Sequence, residues 1–375
     1  MSGRRRVAVV FGGRSAEHEI SCISARSVMD ALDPERFEVV PVGITRDGEW
    51  HLMPGPPALP SETGRMPEVV PGAVGSGVSL AGEASSHELV GADGSRASID
   101  VVLPVLHGPM GEDGAVQGMF ELADVPYVGA GVLGSAIGMD KAIQKVLFAA
   151  AGLPVGPWEA VREPDWIEDP EGVGARVAAL DYPVFTKPAT LGSSVGISKV
   201  HDERELDRAM SEAFRFARKV VVEQGLEGAR EIECAVLGND DPVASICGEI
   251  VPTGHEFYDY ASKYLDEHGA RLEIPAEIDP ELQASVQRMA VMAFQAVECW
   301  GMARVDFFLL GEELFINEIN TIPGFTSISM YPKLWQASGL AYGDLIERLI
   351  DLAVERHGAE RSKRTTAPEL ESRSE

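Results

Sequence analysis

No stretch of this sequence approaches the ~20 apolar residues that a membrane-crossing helix needs, and no span is expected. Cysteine is scarce: Cys22, Cys234, Cys247 and Cys299 lie far apart, with no C-x-x-C pair and no Cys/His cluster. That spacing argues against structural zinc and against a disulfide framework, so reduced thiols are expected. Basic residues are also few, 32 Lys and Arg against 59 Asp and Glu, for a net charge of -27. So acidic a chain repels nucleic acid and anionic membrane surfaces, and neither is expected as a partner. A phosphate-bearing substrate stays open if lysines and arginines gather in one cleft. Arg4, Arg5 and Arg6 precede an apolar stretch, 7–11, too short for a signal peptide, and a cytoplasmic location is expected. There is no Walker A pattern and no internal repeat.

What is present reads as an α/β (α+β) chain. Its 375 residues, 45% apolar and 24% charged, suffice for two or three domains. The strand "RVAVVF", the turn "GGRS", a helix over 17–32 and the strand "FEVVPVGIT" make a β-α-β unit. Residues 51–98 are rich in Gly and Pro and are expected to be an inserted, irregular surface segment. Regular structure resumes with "IDVVLPVLHG", a helix near "GAVQGMFELA" and a short strand "PYVGAG". These complete a doubly wound parallel sheet over 1–133. A helix over 135–151 opens a second unit, 134–227, with the strands "YPVFTKPA", "ISKV" and "KVVVEQ" and a helix over 203–218. A third unit, 228–358, holds the strand "REIECAVLG", a helix near 281–299, a hairpin and a closing helix. The polar tail 359–375 is expected to be disordered.

The hairpin "RVDFFLLGEELFINEIN" carries a chemical signal. Alternation along a strand puts Arg304, Asp306 and Phe308 on one face, and Ile316, Glu318 and Asn320 on one face of its partner. A three-residue loop at 311–313 pairs Leu310 with Leu314, which sets Asp306 opposite Glu318 and Arg304 opposite Asn320; a two-residue turn is the alternative. Carboxylates facing each other across a ladder repel unless a cation lies between them. Asp, Glu and Asn oxygens are hard ligands suited to Mg²⁺. Arg304 would stabilise negative charge developing beside it, and the Pro323-Gly324 turn brings a bare N–H close. Taken alone, the hairpin reads equally as a face charged for solubility.

The stretch "FTKPATLGSSVGISKV" reads as strand, loop, strand. Lys187 projects from the strand end, and Gly192, Ser193, Ser194 and Gly196 let backbone amides fold over phosphate oxygens. A plain hairpin turn is the commoner meaning of such a loop. Lys141, in "GMDKAIQK", is a second phosphate candidate, although a helical lysine is usually solvated. In "VVVEQGLEGAREIE" a strand end offers backbone groups to an adenine edge, with Glu223 or Glu231 for its amino group or ribose hydroxyls. The same stretch reads equally as a linker. Glu17 at a helix start and His107 at the carboxyl end of a parallel strand are placed to bind an ammonium-bearing ligand. A helix-start acid is also favoured by the macrodipole alone. Three tyrosines within 258–264, beside Lys263, suit either a water-excluding lid or the packing of a long loop.

Together, "KPATLGSSVG", "VVVEQGL" and "RVDFFL…LFINEINTIPG" resemble the ATP-grasp ligases. With "GGRSAEHEIS", "LHGPMGEDGAVQG", "FYDYASKY" and "NEINTIPGFTSISM", the chain over 5–357 is similar to the D-alanine–D-alanine ligase family. The resemblance implies a three-domain ATP-grasp fold with ATP held between the second and third units. It maps nucleotide contacts onto Lys141, Lys187, Ser193, Ser194, Glu223, Gln224, Leu226 and Glu231. Two Mg²⁺ ions, replaceable by Mn²⁺, map onto Asp306, Glu318 and Asn320. A first D-alanine falls to Glu17 and His107, and a second to Lys263, Ser329 and Met330. Tyr264 would close the lid by bonding to Ser193 and Glu17, while Arg304 and Gly324 would stabilise an oxyanion. Glu112 is expected to shape its own loop. ATP and D-alanine as substrates, a homodimer, and a role in peptidoglycan precursor synthesis are further implications. The rivals are a D-alanine–D-lactate ligase, whose lid carries a His where this chain has "SKY", and another dipeptide-forming ATP-grasp ligase. A catalytically silent ATP-binding sensor would lack a metal ligand or an oxyanion group, and here all are present.

Overall fold

The computed structural model describes residues 3–70, 77–80, 86–253 and 270–363. From the N-terminus run β1 (Arg5–Gly12), α1 (His18–Ala31), β2 (Phe37–Ile44), β3 (Trp50–Leu52), a short α2 (Pro60–Thr63), β4 (Val78–Leu80), β5 (Glu88–Gly91), β6 (Arg96–Ser98), β7 (Val101–Pro104) and α3 (Ala115–Leu122). The first sheet has the order β3-β2-β1-β7, with β2 and β7 both parallel to β1. Val7 to Phe11 of β1 are buried, as expected of a central parallel strand covered on both faces.

The segment 51–98 is not wholly irregular. Its described part forms a three-stranded antiparallel sheet, β4-β5-β6, with Leu89 buried and Val78 and Leu80 half-buried against the first sheet's core. Short apolar alternations there, weak beside the Gly and Pro content, suffice to pair strands once a core is available to cover them. The predicted strand in "PYVGAG" is reduced to one bridge, Val102 with Tyr127.

Next come α4 (Val132–Met139), α5 (Lys141–Ala150), β8 (Trp158–Arg162), α6 (Glu163–Glu168), α7 (Pro170–Ala178), β9 (Val184–Pro188), β10 (Ser198–Val200), α8 (Glu203–Phe214) and β11 (Lys219–Gln224). The single helix expected over 135–151 is thus two. Asp140, extended at ψ 98, ends the first and caps the second by accepting from the amides of Ala142 and Ile143. The second sheet, β10-β9-β11-β8, rests on α7 and α8 through Val184, Val220 and Val222, leaving Lys187, Val221 and Glu223 on the opposite face.

The remaining elements are β12 (Arg230–Gly238), β13 (Val243–Pro252), β14 (Ala270–Glu273), α9 (Pro280–Ala296), β15 (Gly301–Leu310), β16 (Glu313–Asn320), α10 (Met330–Ala337) and α11 (Tyr342–Arg361). The third sheet runs β14-β13-β12-β15-β16, and each described ladder is antiparallel. One face packs on α9, which Asp279 caps; the other packs partly on α10 and α11. Among the described residues no helix is long and apolar enough to cross a membrane. The four cysteines are buried and unbridged.

The β15–β16 hairpin corrects the sequence reading in two compensating ways. Leu310 pairs with Glu313, so the turn has two residues, not three. A bulge at Asn317 then restores the register, so that Asp306 faces Glu318 and Arg304 faces Asn320. The extra residue also breaks the alternation. Ile316 is buried on the α9 side with Ile319, and does not share a face with Glu318 and Asn320.

Candidate active site

A row of charged and polar groups crosses the third sheet on the face away from α9. Glu233 of β12 lies opposite Asp306 of β15, which lies opposite Glu318 of β16. Arg304 organises this row. Its Nε and Nη2 donate to Asp306 at 2.7 and 2.8 Å, and its Nε is 3.0 Å from Glu233. Burial opposes the charge on Arg304, but Asp306 and Glu233 outweigh it and raise its pKa further. Asn320 Nδ2 donates at 2.9 Å to Asp306 Oδ2, the oxygen that also accepts from Arg304 Nη2.

α5 lies between this row and the second sheet. Lys141, at its first position, meets Glu318 at 2.7 Å, and Lys145, one turn on, meets Glu223 at 3.0 Å. Lys187, on β9, donates to the other oxygen of Glu223 at 2.7 Å. The helix is fixed to the edge strand β16 by Gln144. Its Nε2 donates to the carbonyl of Ile319 at 3.3 Å, and its Oε1 accepts from the Ile319 amide at 3.0 Å. A side-chain amide here does what a further strand would do for an open sheet edge. A cleft bounded by Glu112, Met139, Lys141, Gly192, Glu318 and Asn320 opens at this junction.

The Gly/Ser loop of the second sheet reaches the first. Ser193 and Ser194 both have left-handed backbones, φ 51 and 58, a conformation that β-carbon-bearing residues rarely adopt. It brings Ser193 Oγ to donate to Glu17, just before α1. Glu17 lies against the turn after β7, where a β-carbon on Gly108 would meet its Oε2 at 3.2 Å. His107, buried in that turn, has Glu112 at 3.5 Å from Nδ1 and Ser24 at 3.5 Å from Nε2. Burial opposes a charge on His107, but Glu112 and Glu17 prevail and raise its pKa. Glu112 thus contacts His107 from its own loop.

Beyond β16, Ser329 precedes α10, and its Oγ accepts from the Thr326 amide at 3.1 Å. A β-carbon on Gly324 would come within 3.2 Å of that Oγ, so a side chain there would press on the Ser329 hydroxyl. The Met330 side chain is buried in the core, leaving its backbone for any ligand. Gln224 and Leu226 lie at and beyond the end of β11, where the Gln224 amide bonds to Pro157 O at 3.0 Å, and Glu231 is half-buried on β12. Lys263 and Tyr264 lie outside the described residues.

Sequence reasoning passed over Lys145, Gln144 and Glu233. In α5 the usual pattern is inverted: Ile143 and Val146 are exposed while Gln144 and Lys145 are buried. The available signals were the two lysines at i and i+4, and a glutamate inside the apolar strand "REIECAVLG". Among the described residues no three His, Cys, Asp or Glu side chains are gathered as a metal centre. Asp306, Glu318 and Asn320 are nevertheless hard oxygen donors on neighbouring positions, now paired with Arg304 and Lys141. That donor set fits Mg²⁺ or Mn²⁺.

Comparison with known proteins agrees over nearly the whole chain. Residues 6–130 match the family model "D-ala D-ala ligase N-terminus", and residues 147–351 match "D-ala D-ala ligase C-terminus". A D-alanine–D-alanine ligase of Paenarthrobacter aurescens is 51% identical, over 95% of this chain and 97% of its own. The structure of the D-alanine–D-alanine ligase from Coxiella burnetii superposes with a TM-score of 0.83 at 36% identity, covering 96% of this chain and 97% of that one. VanG, a D-Ala:D-Ser ligase from Enterococcus faecalis, also gives 0.83 at 36% identity, covering 93% of this chain and 99% of that one.

Proposed function

Because the chain belongs to the D-alanine–D-alanine ligase family, with its three-domain ATP-grasp fold, we propose that it uses ATP to join two D-alanine molecules for peptidoglycan precursor synthesis. The observation that carries this reading is one cleft lined by Lys141, Gly192, Glu318 and Asn320, with Asn320 bonded to the Arg304–Asp306 pair and Lys187 held by Glu223 on the second sheet. In the reaction, the carboxylate of one D-alanine attacks the γ-phosphorus of ATP; the bond to the β-phosphate oxygen breaks, and ADP leaves. The amine of the second D-alanine, as free base, attacks the carbonyl carbon of the acyl phosphate. The C–O bond then breaks, phosphate departs with its electron pair, and the nitrogen gives up one proton to it.

The chain's own residues position these groups and supply charge, with no protein nucleophile. Lys141, Lys187 and the Ser193–Ser194 amides hold phosphates. Glu223, Gln224, Leu226 and Glu231 border the adenine and ribose. Glu17 and His107 hold the first amino acid, while Lys263, Ser329 and the Met330 backbone hold the second. Tyr264 closes over Ser193 and Glu17. Arg304, kept charged by its acidic partners, and the Gly324 amide stabilise the tetrahedral oxyanion. Two Mg²⁺ ions, held by Asp306, Glu318 and Asn320, would offset phosphate charge when bound. A homodimer and a cytoplasmic location belong to the same reading.

The test is phosphate release with ATP, Mg²⁺ and D-alanine alone, read together with product mass. D-alanyl-D-alanine and ADP are expected. AMP as the nucleotide product would overturn the acyl-phosphate route, and turnover only with D-lactate or D-serine would overturn the acceptor. Glu318→Gln should cut kcat by roughly 10²–10³-fold with an unchanged circular dichroism spectrum.

A further inference from the structure

Both oxygens of Glu223 are taken by ammonium groups: Lys187 at 2.7 Å from Oε2 and Lys145 at 3.0 Å from Oε1. The two lysines are not equivalent. Lys187 stands on β9 with 12% of its side chain exposed, whereas Lys145 keeps only 4% and Glu223 9%. Lys145 projects from the second turn of α5, and its Nζ also lies 3.5 Å from the carbonyl of Asn317 in the β16 bulge. Burial lowers the pKa of Lys145, against the attraction of Glu223, and the neighbouring charge of Lys187 lowers it further. For Glu223 burial pulls the other way, but Lys145 and then Lys187 hold its carboxyl down to about 2.

We propose that Lys145 is a positioning residue: the fixed counter-ion of Glu223, which frees Lys187 to move from that carboxylate to a nucleotide phosphate. This rests on the reading of Lys187 as a phosphate ligand. Removing one partner from a buried ion pair leaves an uncompensated charge at high cost. Were Lys187 the sole partner of Glu223, each nucleotide bound would strip a buried carboxylate bare, and Glu223 would compete with the phosphate. With Lys145 in place, the departure of Lys187 leaves a neutral pair behind. It also separates two ammonium groups that repel each other across one carboxylate. Lys141 and Lys145, on one helix face, thus serve the two sheets differently: one meets the row on β16, the other the strand beside the phosphate lysine.

The test is titration calorimetry with adenylyl imidodiphosphate and Mg²⁺, alongside steady-state kinetics. Lys145→Met should weaken nucleotide binding about tenfold or more, raise the KM for ATP in step, and move the KM for D-alanine less than about twofold. Lys145→Arg should restore most of the loss. In a Glu223→Gln background the neutral amide needs no counter-ion, so adding Lys145→Met should cost less than about twofold. Wild-type affinity in folded Lys145→Met protein would overturn the proposal. So would a loss of about tenfold or more on adding Lys145→Met to Glu223→Gln, a comparison that decides the matter even if Lys145→Met alone fails to fold. Unchanged affinity in Lys187→Met would sink the phosphate reading of Lys187 and this proposal together, whereas the other two results sink only the role of Lys145.

Discussion

Glu223 is a buried acid whose ionisation the fold maintains. Burial alone would raise its pKa above the ordinary 4.5, yet Lys145 and Lys187 bring it to about 2. A folded-state pKa below the unfolded one contributes stability above about pH 4.5, which is lost as pH falls towards about 2. The urea-unfolding free energies of wild type and Glu223→Gln should therefore lie far apart above about pH 5 and converge on acidification; a constant gap would mean that pairing is not what holds the carboxyl down. At this scale the sequence was legible where a motif specified a residue. Lys187, Glu223, Asp306, Glu318 and Asn320 stand where strand alternation and the loop pattern put them. Lys145 was not legible, because whether a helical lysine faces water or a buried glutamate is decided by distant packing.

Among the elements, α5 has the most to hold together. Two hydrogen bonds through Gln144 join it to the edge of β16, while its lysines reach both sheets. Gln144→Met keeps the volume but leaves the buried Ile319 amide and carbonyl unpaired. Such groups cost about 1–3 kcal/mol each. The variant should lose about 2–4 kcal/mol in urea unfolding, and its KM for ATP should rise several-fold as both lysines shift. Stability equal to wild type would show that the helix is held elsewhere. The inverted burial of Ile143 and Gln144 hides this role from any hydrophobic pattern. The hairpin was partly legible for a related reason. Its charge pairs followed from the strand residues, but a turn one residue shorter and a bulge one residue longer cancel, and only the backbone reveals either. The sheet over 78–98 escaped because strands of three or four residues leave little periodicity to read.

Across the whole molecule the cores are unequally shared. Residues of β8, β9, β11, α7 and α8 form a core of their own. Side chains of β1, α1 and β7 instead share one core with β12, α10 and α11. The second sheet should therefore open more readily, and nucleotide bridging it to β15 and β16 should hold it shut. By hydrogen exchange, 158–224 is expected to exchange faster than β1 and β12 in free protein. It should slow most at saturating adenylyl imidodiphosphate, where binding adds about 2.7 kcal/mol at ~100 times Kd. Uniform protection would refute that division. The shared core has another consequence. Leu345, Ile346, Leu349 and Ile350 of α11 occupy the same cluster as Val7, Val9 and Phe11 of β1. On the ribosome β1 and α1 emerge long before α11, so part of the core they share with it stays uncovered until that helix is made. Until then a nascent chain carries exposed apolar surface of the kind that favours aggregation.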